Sequence, residues 1–264
     1  MKNKLNSRII RGVEKAWFFD TIRAGFAYTH TAPYRKFGFT LAEVLITLGI
    51  IGVVAAMTLP TLVQKYRNRV VETRLQKFYS MMNQAVKSAE VEYGDKKIWF
   101  EDVGGLAVDS DGNPIEGSSK IDIWFTKYLA PHIKIIKKTI ESDGRPTYYF
   151  ADGSALSTPD ATVSRDWVFF TGNPEKCNKK YENPYGICKF IFEFYPASES
   201  ADWKFLYNKG FEPAKVKWDG TKELLYSGNA WACAKETIGR AYCAALIQHN
   251  GWKIPADYPL KVDY

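Results

Sequence analysis

The sequence predicts an α+β protein in which one long N-terminal helix, with a membrane half and an amphipathic half, packs on a C-terminal globular head built around an antiparallel sheet. Three observations predict it. Residues 44–63 hold no charged side chain over 20 positions, and a helix of that length spans about 30 Å, the thickness of a bilayer core. Beyond it Leu62, Tyr66, Val70, Val71, Leu75, Phe78, Tyr79, Met82, Val86 and Ala89 recur at spacings of mostly three and four, the period of a one-sided helix. From residue 95 onward the pattern changes to short aromatic runs divided by Gly, Pro and Asp turns, the signature of strands and loops.

Taken in order, the helix should run from about Thr40 to Tyr93 and stop at Gly94-Asp95, with glycine at the usual helix end. Pro60 removes a backbone donor, so a kink or local break is expected there. Gly49 and Gly52 weaken the same stretch by about 1 kcal/mol each, and their spacing also permits close helix packing in a membrane. Glu43 sits at the start of the apolar run, where a carboxylate is normally paired or functional. In the head, Ile121, Trp124, Phe125, Tyr128 and Leu129 form a one-faced helix that Pro131 ends. Thr147-Tyr148-Tyr149-Phe150 and Ala155-Leu156-Ser157 flank Asp152-Gly153-Ser154 as a hairpin. Residues 167–170 and 190–195 read as strands. Ile238, Tyr242, Ala245, Leu246 and His249 suit a last helix that stops at Asn250-Gly251.

The 264 residues allow one or two domains, and a 46% hydrophobic fraction supplies a sizeable core. The net charge of +7 is unevenly placed: residues 1–38 carry +6 and the rest +1. A basic start before an apolar run keeps that start cytoplasmic and sends the remainder across the membrane. A near-neutral head argues against nucleic acid as a partner, and the abundant aromatics are better used in the core and in subunit contacts. Four cysteines allow three pairings. Short loops and an oxidising address favour Cys177 with Cys188 and Cys233 with Cys243, and neither spacing suits redox catalysis or a zinc ribbon. An ordinary signal peptide cut after Val54-Ala55-Ala56 is a rival reading, opposed by the long region before the apolar core.

Gly38-Phe39-Thr40-Leu41-Ala42-Glu43-Val44-Leu45-Ile46, preceded by Arg35-Lys36 and followed by Gly52 and Pro60, closely resembles the processing and assembly motif of type IV pilins and type II secretion pseudopilins. The resemblance is tight over residues 35–62 and weak beyond residue 93. It implies that a prepilin peptidase cuts between Gly38 and Phe39 and methylates Phe39, and that Glu43 serves assembly. The domains then become a leader over 1–38, a transmembrane and filament-core half over 39–63, an amphipathic half over 64–94 and a head over 95–264. The implied protein is a structural subunit, not an enzyme, assembled into a type II secretion pseudopilus or a type IV pilus. Its implied partners are the peptidase, copies of itself, other pilin-like subunits, an inner-membrane assembly platform and the lipid bilayer. The implied place is the bacterial inner membrane, single-pass, with the head in the periplasm or outside, and then an envelope or surface fibre. The alternative is a monomeric membrane-anchored binding protein, an adhesin or DNA-uptake receptor.

Other chemistry finds little support. Asp109-Ser110-Asp111-Gly112-Asn113 resembles the start of a calcium loop, but Lys120 stands where the bidentate glutamate is required; a polar turn is expected instead. Head-domain calcium, known in some pseudopilins, has carboxylates available at Asp219, Asp257 and Asp263 but no ligand spacing, so no cofactor and no metal site is expected. His132 and His249 lie far apart without neighbouring acids or cysteines, and no phosphate loop or dinucleotide fingerprint is present.

Overall fold

A computed structural model describes residues 38–264, so apart from Gly38 the expected leader lies outside the described residues. Helix α1 (Leu41–Tyr93) follows the limits that the apolar pattern sets. It continues as one helix through Pro60; no local break occurs there, since a long helix tolerates the loss of one N–H bond. Gly94 ends it at φ +82°, with its N–H 3.0 Å from the Glu90 carbonyl. That left-handed conformation is open to glycine at little cost.

Burial along α1 begins later than the periodicity implies. Leu62 and Tyr66 stay 64% and 61% exposed, and the buried stripe starts at Val71 and continues through Leu75, Phe78, Met82, Ala85, Val86 and Ala89. The head therefore buries helix side chains from about the ninth turn onward, and none of the side chains of the apolar run over 44–63 is buried among the described residues.

The stripe packs on a six-stranded antiparallel meander, β1 (Lys137–Ile140), β2 (Pro146–Tyr149), β3 (Ala155–Ser157), β4 (Asp166–Phe170), β5 (Lys189–Glu193) and β6 (Glu212–Pro213), paired in chain order. Alternation sorts β4 cleanly: Trp167 and Phe169 join the core beneath α1, while Val168 and Phe170 pack on the opposite face with Ala155, Cys177 and Cys188. Phe78 stacks on Phe169 at 4.2 Å between ring centroids and meets Phe192 edge-on at 4.8 Å. Both sheet edges are blunted, β1 by Lys137 and Lys138 and β6 by its length and Pro213.

Short helices close the remaining gaps. Helix α2 (Lys96–Trp99) follows α1 directly, and α3 (Lys120–Tyr128) is capped by Ser119 and buries Ile121, Trp124, Phe125 and Tyr128. Phe125 stacks on Tyr148 at 4.2 Å. Asp122, buried in the first turn of α3, accepts bonds from the Tyr148 hydroxyl at 2.9 Å and Lys138 Nζ at 2.7 Å, which satisfies a charge that burial would otherwise penalise. Helix α4 (Pro174–Lys180) begins at the Asn173 cap with proline in its first turn and is tied to the sheet by a Cys177–Cys188 disulfide. Helices α5 (Lys222–Tyr226) and α6 (Cys243–His249) complete the head.

The last helix is shorter than the sequence suggests. Ile238 lies outside α6, on a loop where it is 85% exposed, and the helix starts only at Cys243. The Cys233–Cys243 disulfide and Arg240, at φ +44°, turn the chain there. The Arg240 guanidinium holds the turn by donating to the carbonyls of Ala234, Thr237 and Lys235. Gly251 ends α6 at φ +66°.

Two predictions follow from this packing. Non-reducing peptide mapping of the folded chain should join Cys177 to Cys188 and Cys233 to Cys243; removing either bridge should cost about 2–4 kcal/mol, and free thiols at all four positions would contradict the fold. Glu193 on β5 is 4% exposed, and burial pushes its carboxyl up to about 8, against the Lys215 N–H that it accepts at 2.9 Å and with Asp166 nearby adding to the rise. Between the ordinary carboxyl value of 4.5 and about 8 the folded chain keeps a proton that the unfolded chain has lost, so this group's contribution is fully present below that window and is lost as pH rises through it. Glu193→Gln keeps an acceptor for Lys215 and cannot ionise. Its Tm should fall by about 5–10 °C less than the parent's between about pH 5 and about pH 8.5, and equal falls would show that Glu193 is solvated.

Candidate processing and assembly segment

Gly38 and Phe39 precede the first helical turn, and Phe39 is 88% exposed. Thr40 is the residue that starts the helix. Its hydroxyl accepts the Glu43 N–H at 3.2 Å, while Glu43 Oε2 accepts the Thr40 N–H at 2.8 Å and the Thr40 hydroxyl at 2.9 Å. Thr40-Leu41-Ala42-Glu43 is thus a reciprocal capping box, which satisfies two backbone donors that a helix start otherwise leaves unbonded. The Thr-x-x-Glu spacing before an apolar run is visible in the sequence, yet the sequence reading gave Thr40 no role. Glu43 therefore has a partner within its own chain.

The apolar run that follows meets the physical needs of a lipid-facing helix. Its most apolar 18-residue window has none of its residues buried, and α1 is long and apolar enough to cross a membrane. Two of its hydroxyls are satisfied locally, Thr47 by the Val44 carbonyl at 3.0 Å and Thr58 by the Val54 carbonyl at 2.9 Å. Among the described residues, nothing beyond the helix's own backbone and the adjoining residues lies within 4 Å of where a Cβ would stand at Gly49 or Gly52.

The other residues weighed from the sequence fall apart in space or serve the fold. Asp109 Oδ1 accepts the N–H groups of Asp111 and Asn113 at 2.9 and 2.8 Å, with Gly112 at φ +87°, the expected polar turn. Asp219 bonds Thr221 N–H at 2.8 Å, Asp257 accepts from the Tyr226 hydroxyl at 2.8 Å, and Asp263 is held by Lys180, Tyr181 and Arg67. Among the described residues no three His, Cys, Asp or Glu side chains gather as a metal site. His132 Nε2 lies 3.8 Å from Glu92 Oε1, while the His249 ring meets Trp218 edge-on at 6.3 Å.

Comparison with known proteins divides the chain at the same place as the physics. The prokaryotic N-terminal methylation motif matches residues 34–59, which include Gly38, Phe39, Thr40 and Glu43. No curated protein and no solved structure matches the chain. A family of unknown function (DUF6613) matches residues 61–262, nearly the whole head and the buried stripe of α1. The chain therefore belongs to that family, and through its N-terminal methylation motif it is a pilin-like protein of the type IV pilin and type II secretion pseudopilin group.

Proposed function

We propose that this protein is a structural fibre subunit, cut by a prepilin peptidase between Gly38 and Phe39, methylated at Phe39 and assembled through α1 into a type II secretion pseudopilus or a type IV pilus. One observation carries the reading: the methylation motif runs into an uncovered apolar helix, while the same helix is built into a folded head further on. Before assembly the bilayer covers the apolar part, and after assembly neighbouring copies of α1 cover it. The inner-membrane platform and other pilin-like subunits are the partners that such assembly requires, and the head then lies in the periplasm or outside. Gly49-x-x-Gly52 gives neighbouring helices room for close approach.

The capping box gives weight to the second reading, a monomeric anchored binding protein, because Glu43 needs no other subunit to satisfy it. Its charge distinguishes the two. Cleavage would create an α-amine at Phe39, and an ionised Glu43 on a neighbouring subunit would attract it far more strongly in a low dielectric than in water, against the desolvation of both groups. An unpaired carboxylate would penalise wrong staggers of the incoming helix, so Glu43 would set the register of assembly.

Glu43→Gln separates the roles, since a glutamine oxygen still completes the capping box while the charge is gone. This variant should remain membrane-inserted and cleaved, yet yield at least about tenfold fewer fibres. Thr40→Ala should instead weaken the helix start by about 0.5–2 kcal/mol and still assemble. Counts of sheared fibres by electron microscopy read both, and parental numbers from Glu43→Gln would favour the monomeric anchor. Replacing Gly38 with a bulky residue should leave uncut precursor in the membrane fraction.

A further inference from the structure

The first turns of α1 beyond the apolar run carry a second pattern. Lys65, Tyr66, Arg67 and Arg69 lie just beyond Val63 and Gln64, and Lys65, Tyr66 and Arg69 are exposed. At 1.5 Å rise per residue Arg67 lies about 6 Å beyond Val63 along the helix, within a headgroup layer of about 5–8 Å per leaflet. The head meets the helix at this level. Gln64 Nε2 donates to the Val262 carbonyl at 3.1 Å, and Arg67 Nε lies 3.4 Å from Asp263 Oδ1. Asp263 in turn accepts from Lys180 and, at 2.7 Å, from the Tyr181 hydroxyl. A hollow of about 310 Å³ opens there, lined by Arg67, Asn173, Lys176, Lys180, Tyr181 and Tyr264, and Asp263 is the acid in its wall.

Charge and aromatic placement agree. Three cations line the hollow against one side-chain carboxylate, Asp263, which Arg67 and Lys180 share, so positive charge is in excess there, with Lys65 and Arg69 within one turn of Arg67, although the residues after the leader carry only +1 in total. Tyr66 and Tyr264 sit beside each other at 6.4 Å, with the Arg74 guanidinium 4.9 Å over the Tyr264 ring. Exposed tyrosines among Lys and Arg at the end of an apolar span are the composition of a membrane–water interface.

Resting on the reading of α1 as membrane-inserted, we infer that this end of the head docks on the bilayer surface, with the Arg67–Lys176–Lys180 hollow taking the phosphate of an anionic phospholipid headgroup. The contact would hold the head at the surface before assembly. It would also have to be released as the subunit leaves the bilayer, which makes that step sensitive to salt and lipid charge.

Lysine footprinting with a water-soluble acylating reagent tests this on the full chain in phosphatidylcholine vesicles, with and without phosphatidylglycerol. Acylation of Lys176 should fall about fivefold in the anionic vesicles and recover in molar salt, while Lys209, far along the chain on another surface loop, stays unchanged. Lys176→Glu should abolish the lipid-dependent protection of Lys180 and leave resistance to alkaline carbonate extraction intact. Equal acylation in both vesicles, with the chain carbonate-resistant in each, would overturn the inference alone. Equal protection by inorganic phosphate in the neutral vesicles would make the hollow a free-anion site and overturn the lipid assignment. A chain that carbonate extracts from both would overturn the membrane reading, and this inference with it.

Discussion

The contact of Phe78 with Phe169 and Phe192 is the interaction on which the head depends. It is the centre of a stripe that covers the inner sheet face, where Tyr148, Leu156, Trp167, Phe169, Phe190 and Phe192 are all buried. Without α1 that face would be an aromatic surface open to water, larger than soluble domains tolerate. From Val71 onward helix and sheet therefore fold as one unit, and the Gln64–Val262 and Arg67–Asp263 contacts extend the packing past the start of the stripe.

Much of this was legible because the signals are local. Twenty uncharged positions followed by a three-and-four spacing fix one long helix whatever the head does, and Gly94 ends it by backbone chemistry alone. The hairpin around Asp152-Gly153-Ser154 and the aromatic strands β4 and β5 are likewise local patterns. What escaped depends on tertiary partners. β1 reads as a charged, unremarkable segment, and it is a strand because β2 offers it a free edge. β6, with two residues, has no period to detect. Leu62 and Tyr66 fit the helical stripe but stay exposed, because periodicity marks a face and cannot say how far a partner reaches along it. Ile238 fits the spacing of α6 and yet sits outside it, because a disulfide and the Arg240 turn override helix propensity.

At the processing segment the sequence showed Glu43 as an acid in a costly place, and the structure adds its local partner. The capping bonds of Thr40 explain how the carboxylate is held within its own chain. Buried carboxylates in the head follow the same rule by different means. Asp122 is held by Tyr148 and Lys138, whereas Glu193 has one backbone donor and retains its proton well above the ordinary carboxylate range. These buried acids are thus bonded or neutralised, and Glu43 differs from them in standing at the border of an uncovered apolar surface.

The central claim is that residues 1–38 are removed so that Phe39 becomes the end of an assembling helix. Mass spectrometry of the N-terminal peptide, on protein isolated from cells containing a prepilin peptidase, tests it most directly. The account predicts a peptide that begins at Phe39 and is one methyl group heavier than the unmodified sequence. A mature chain beginning at Met57, or a precursor that still carries residues 1–38 in the assembled fraction, would contradict it.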